Sequence, residues 1–213
     1  MSGPAAVLFD LGGVLLPFDR ERRVAAIVSQ LDADPDDVRE LFDGPLPRRM
    51  DLGAADEADF ATAFAEMSDR PITPATARTL LLSVFEAPNA ELWRLAAELS
   101  RTCIVGGFSD NPSFVASVFP DGAVLDPMIF SGEIGAVKPS DAAFAAAEAR
   151  LGLGGDAVLL IDDGPANVAA ARRRGCFHRA ISRRSARSPR WRGASTSRIR
   201  TRWYTLASST ACV

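Results

Sequence analysis

Three short runs of apolar residues stand apart from the rest of the chain: Ala5 to Phe9 (AAVLF), Thr102 to Phe108 (TCIVGGF) and Ala157 to Ile161 (AVLLI). Each is apolar at consecutive rather than alternate positions and runs into a polar or glycine-rich turn. That is the pattern of strands covered on both faces of a parallel sheet. Between the first two the period becomes helical. Asp34 and Pro35 start a helix with Val38, Leu41 and Phe42 on one face and Gly44 as its stop; Phe60, Phe64 and Met67 recur at helical spacing; Thr73 and Pro74 open ATARTLLLSVF. Asn89 caps a helix carrying Leu92, Leu95, Ala96 and Leu99. Ser140 to Leu151 and Pro165 to Arg174 read as two more, the last closed by Gly175, with Arg172 to Arg174 near the negative end of its dipole. The predicted fold class is α/β, a doubly wound parallel sheet with an inserted helical unit after the first strand and no internal repeat.

In such sheets ligands gather beyond the carboxyl ends of the strands, where strand order reverses. The residues just after the apolar runs are therefore the candidates. The first run ends at Asp10, the second at Ser109 followed by Asp110 and Asn111, and the last at Asp162 and Asp163. Lys138, the only lysine, stands in a loop (SGEIGAVKPS) before a helix start. Carboxylates brought together from distant strands repel, and must be neutralised by protonation or by a hard cation that takes oxygen ligands. Mg²⁺ with a small phosphorylated substrate fits that requirement. One carboxylate can then attack phosphorus while lysine, hydroxyl and backbone N–H groups hold the phosphoryl oxygens. Asp110 and Asn111 are candidate substrate contacts as well as ordinary turn formers. The sole histidine, His178, leaves histidine triads and multi-histidine metal sites without material.

Composition narrows the setting. A chain of 213 residues, 47% hydrophobic, suits one globular domain with an inserted subdomain. Cys103, Cys176 and Cys212 are odd in number and lack CxxC spacing, which points to a reducing cytoplasm. No apolar stretch approaches the roughly 18 residues of a membrane span, so no membrane partner is expected. Cys103, Phe60, Phe64, Met67 and Trp93 are expected in the core, and Arg48 and Arg49, after the PLP turn, on the solvated surface, with the alternative that they face an anionic substrate.

Taken in order, FDLGGVL, the serine of GGFSDNP, KP before a helix, and LLIDDGPANV resemble the four motifs of the haloacid dehalogenase-like (HAD) superfamily over about Ala5 to Gly175. The resemblance implies a Rossmann-like core, residues 1–17 and 89–180, and a small helical cap, residues 18–88, like that of sugar-phosphate phosphatases and haloacid dehalogenases. It implies Asp10 as nucleophile and metal ligand, Ser109 binding the phosphoryl group, Lys138 balancing its charge, and Asp163, with or without Asp162, holding Mg²⁺. Phosphatases of that superfamily usually carry a second aspartate two residues after the nucleophile, as general acid and base. That position is Gly12, whose carbonyl can still be a metal ligand. Loss of a general acid costs on the order of 10² to 10⁴ in rate. The alternative to a Mg²⁺-dependent sugar-phosphate phosphatase is therefore a weak or inactive phosphate-binding protein.

The final segment breaks the pattern. Residues 172–213 hold twelve arginines and no Asp or Glu, while twelve basic and twenty-seven acidic residues precede them, a formal charge of −15. A core of this type should continue with an apolar strand and a closing helix, and only a weak apolar group follows Gly175. The chain is alanine- and arginine-rich and lysine-poor, as GC-rich coding gives, and such DNA read out of frame yields Arg, Ser, Ala, Thr and Trp. Residues 181–213 are thus expected to be an aberrant tail, with the frame shifting near Arg172 to His178 and a sheet edge left exposed. A nucleic-acid-binding arm is the rival reading, and nucleic acid is not the expected partner.

Overall fold

The structure, a computed structural model, describes residues 4–119, 124–175 and 177–180, the last four as backbone alone. The tail 181–213 lies outside the described residues. Five parallel strands form one sheet in the order β3-β2-β1-β4-β5: β1 (Ala6–Phe9), β2 (Ile104–Ser109), β3 (Met128–Phe130), β4 (Val158–Asp162) and β5 (Phe177–Ala180). β1 lies between β2 and β4 in register, Phe9 pairing with Gly107 on one side and Ile161 on the other. Sequential strands run outward from β1 through β2 to β3, and the chain then passes through the short helix α7 (Ser131–Ile134) and crosses to β4. The switch point therefore falls at the carboxyl end of β1.

Each face of the sheet is covered, as the continuous apolar runs require. Val7, Phe9, Val105 and Ile161 pack with Ala96, Leu92 and Trp93 of α6 (Ala90–Leu99) on one side. Ala6, Leu8, Phe108 and Leu160 pack on the other with Phe144 and Ala147 of α8 (Asp141–Leu151) and Ala170 and Ala171 of α9 (Pro165–Arg173). Phe108 meets Phe144 edge to face, centroids 5.5 Å apart.

Of the six helices between β1 and β2, five precede α6 and form the inserted unit: α1 (Arg20–Leu31), α2 (Pro35–Asp43), α3 (Pro45–Asp51), α4 (Glu57–Ser68) and α5 (Pro74–Leu82). They bury a separate core around Val24, Ile27, Val38, Phe60, Phe64 and Leu80. Their starts are chemically explicit. Asp19, Asp34, Asp56 and Thr73 each accept hydrogen bonds from the first-turn N–H groups of α1, α2, α4 and α5. The two chain crossings into this unit run side by side: the Asp19 N–H donates to the Val84 carbonyl at 3.0 Å, Glu86 N–H to Pro17 at 2.9 Å and Asn89 N–H to Leu15 at 2.8 Å.

Four elements differ from, or escape, the pattern of the sequence. The second strand starts at Ile104 rather than Thr102, and Cys103 is half-buried just before it, its Sγ donating to the Leu99 carbonyl. β3 escapes the pattern because three residues are too few to show a period. α1 is masked by Arg20, Glu21, Arg22 and Arg23, whose charges surround a narrow buried stripe of Val24, Ile27 and Leu31. A fifth strand exists where a bare edge was expected: the backbone of residues 177–180 pairs with β4, Leu159 opposite Phe177 and Asp162 opposite Ala180.

Candidate active site

The carboxyl ends of β1, β2 and β4 bring Asp10, Ser109 and the adjacent pair Asp162 and Asp163 together with Lys138, from four separate parts of the chain. Lys138 is the hub. Its buried Nζ donates to the Phe108 carbonyl at 2.8 Å and to Asp162 Oδ2 at 2.8 Å, and lies 3.0 Å from Asp10 Oδ1. Two carboxylates, with Asp110 behind them, outweigh the desolvation that would lower the lysine, so its pKa is raised and it stays charged. Its loop is pinned from β2: Asp110 Oδ1 accepts from the Lys138 backbone N–H at 2.9 Å.

Asp10 is buried, and its Oδ1 also accepts from the Leu11 N–H at 2.8 Å. Its Oδ2 has no hydrogen-bond partner among the described residues. Burial pushes the Asp10 carboxyl up to about 7, with Asp162 adding to the rise and Lys138 opposing it. Asp162 is fully buried and saturated: Oδ1 accepts from the Gly164 N–H at 2.7 Å and Asn167 Nδ2 at 3.0 Å, while Oδ2 takes Lys138. These bonds fix the turn into α9. Asp163 is only half-buried, and its carboxylate lies against the backbone of Gly13. Gly13 has φ +82°, and a Cβ there would collide with that carboxylate, so both turn shape and space require glycine.

One oxygen each of Asp10, Asp162 and Asp163 falls within 4.8 Å of the others. Three carboxylates face one lysine. This excess of negative charge, offered through oxygen alone, suits a hard divalent cation such as Mg²⁺. Ser109 is fully buried, and its Oγ accepts from Asn111 Nδ2 at 2.8 Å. Asn111 thus aims the hydroxyl, and Asp110 braces the lysine loop. Gly12 lies in the turn after β1, where a Cβ would meet nothing within 4 Å.

Several contributors went unread in the sequence. Asn167, inside the quoted GPANV, stands five residues after Asp162 on the first turn of α9, and its amide spacing after the acid pair was the available signal. The Phe108 carbonyl carries no side-chain signal at all. Asp51, at the end of α3, is pushed up to about 7 by burial, with Asp110 adding to the rise and Arg48 and Arg23 opposing it.

No family model matches the chain, and no curated protein is similar to it in sequence. Solved structures are similar in three dimensions. A HAD family enzyme from Bacteroides thetaiotaomicron, in complex with magnesium and inorganic phosphate, superposes with TM-score 0.75 at 20% identity, over 92% of this chain and 99% of that one. A predicted HAD-like family hydrolase from Porphyromonas gingivalis gives 0.73 at 23%, over 95% and 98%. An L-2-haloacid dehalogenase from Xanthobacter autotrophicus, with chloropropionic acid covalently bound, gives 0.60 at 16%, over 94% and 88%. The α/β core with its helical insertion is the fold of the HAD-like superfamily.

Proposed function

We propose that this chain is a HAD-like hydrolase, and specifically a Mg²⁺-dependent phosphatase of a small phosphorylated metabolite such as a sugar phosphate. The observation that carries this reading is the asymmetry of Asp10: Oδ1 is tied to Leu11 and Lys138, while Oδ2 has no partner among the described residues and the carboxylate stands beside those of Asp162 and Asp163. The magnesium and phosphate bound by the Bacteroides neighbour support it.

Asp10 Oδ2 attacks phosphorus, the P–O bond to the alcohol breaks with the departing alkoxide taking its proton from solvent water, and an aspartyl-phosphate forms; a second water then attacks its phosphorus, the bond to Oδ2 breaks, and inorganic phosphate leaves with the carboxylate restored. Lys138 Nζ holds Asp10 and offsets charge on the transferring group, and the Ser109 hydroxyl donates to a phosphoryl oxygen. Asp163, with Asp10 and the Gly12 carbonyl, would hold Mg²⁺, while Asp162 positions Lys138 and the α9 turn. When bound, the cation would supply neutralisation of the negative charge that gathers on the phosphoryl group. Residues 18–88 act as the cap over this core.

The open space at Gly12 favours one second reading, a phosphate-binding protein with weak or no turnover. Phosphate release from sugar phosphates and from an aryl phosphate, with Mg²⁺ and with chelator, separates the two. Mg²⁺-dependent release that falls roughly a thousandfold or more in Asp10→Asn supports the phosphatase. A folded protein that binds phosphate but releases none from any substrate supports the binding protein.

A further inference from the structure

Arg23, the fourth residue of α1, is the anomaly of the helical unit. Its guanidinium carbon lies 3.6 Å from the centroid of the Phe42 ring, and Phe42 stacks in turn on Phe60 at 5.8 Å. The plane is thereby held flat against a packed aromatic wall. Yet its Nε is buried with no hydrogen-bond partner, and no ion pair reaches the side chain among the described residues. Arg39, Arg78 and Arg174 each have a carboxylate. Buried arginines are ordinarily paired, because a desolvated cation without an acceptor is costly. Burial lowers this one to about 10, Arg20 lowers it further and Asp51 opposes the fall.

Its place in the fold gives that cation a use. Asp51 interacts electrostatically with Arg23, Arg48 and Asp110, and so marks the seam between the helical unit and the strand ends. The end of α3 is docked there: a Cβ on Gly132 would stand 3.5 Å from the Met50 carbonyl and 3.6 Å from that of Asn111. Asp110 in turn braces Lys138. Arg23 thus stands within electrostatic reach of Asp51, the residue that links the helical unit to Asp110 at this seam.

We infer that Arg23, with exposed Arg48 at the rim, receives a second oxyanion of the substrate, so that the substrate class is a phosphate monoester carrying a carboxylate or a further phosphoryl group. This rests on the phosphatase reading and narrows it. A guanidinium fixed in plane offers two parallel N–H donors to such a group.

The test uses phosphonates, whose C–P bond makes binding independent of turnover. Calorimetry on the full chain with Mg²⁺ compares methylphosphonate, alkylphosphonates with an uncharged tail, ω-phosphonoalkanoates and α,ω-bisphosphonates of increasing length. At one length the ligand with a second anionic end should bind about tenfold to a hundredfold more tightly than the alkylphosphonate of equal length, the range for a charge-assisted hydrogen-bonded pair. Arg23→Met should erase that ratio and Arg23→Lys keep part of it. Because each ratio is taken within one protein, a general loss of folding lowers both members and leaves it unchanged. Whichever second group gives the gain identifies the oxyanion. No gain at any length, or a gain that survives in Arg23→Met, overturns the assignment. Failure of every phosphonate to bind, methylphosphonate included, overturns the phosphate pocket and this inference with it.

Discussion

At the scale of single residues, the site is built by giving each carboxylate a different set of partners. Asp162 is saturated by Lys138, Gly164 and Asn167, whereas Asp10 keeps one oxygen open. That division was only partly legible. Asp10, Ser109 and the Asp162–Asp163 pair announce themselves because each ends an apolar run, and Lys138 because it is alone of its kind. The separate roles of Asp162 and Asp163 depend on which face of the turn each side chain takes, which adjacent positions do not reveal. Gly12 supports a sharp expectation. Since a Cβ there meets nothing within 4 Å, Gly12→Asp should fold, and it should raise turnover of alkyl phosphates by roughly 10² or more while changing aryl phosphates far less, because only the alkoxide needs a proton on leaving. Steady-state rates on one substrate of each kind measure it. Equal gains on both would show that leaving-group protonation does not limit the reaction.

Elements differed in legibility for reasons of length and charge. Helices announced by Asp34, Thr73, Asn89 and Ser140 start at those caps, since side-chain acceptors for orphan N–H groups are a local signal. β3 and β5 are three and four residues long and owe their existence to neighbours already in the sheet. Arg23 was invisible because its significance lies in α1 and α2 meeting at Phe42, a contact set by helix packing. The turn between β1 and α1 allows a test at this scale. Gly13→Ala would strain a φ of +82° and push against Asp163, so the Mg²⁺ concentration for half-maximal activity should rise about tenfold to a hundredfold, as for other groups that orient a metal ligand. Titrating Mg²⁺ against turnover checks it. An unchanged midpoint would remove Asp163 from the ligand set.

For the whole molecule, proton uptake and folding are linked through the seam. Burial raises Asp51 from 3.8 to about 7, so the folded state holds that proton more tightly than the unfolded chain. Its contribution is fully present below about pH 4 and is lost as pH rises through 7. Asp51→Asn keeps the neutral form at every pH. Its melting temperature should therefore gain on that of the unsubstituted protein between pH 5 and pH 8, the groups common to both cancelling in the difference. A difference that stays flat across that range would show that Asp51 does not titrate there.

Lys138 is the only lysine of the chain, and the fold keeps it 5% exposed, bonded to two aspartates and a carbonyl. Acylation with an amine-directed reagent therefore has one internal target, reachable when the junction of β1, β2 and β4 comes apart. The mass added at Lys138 per unit time becomes a clock for the opening of one known point. A divalent cation or phosphate that holds the junction together should slow it, and denaturant should bring it to the rate of a free amine.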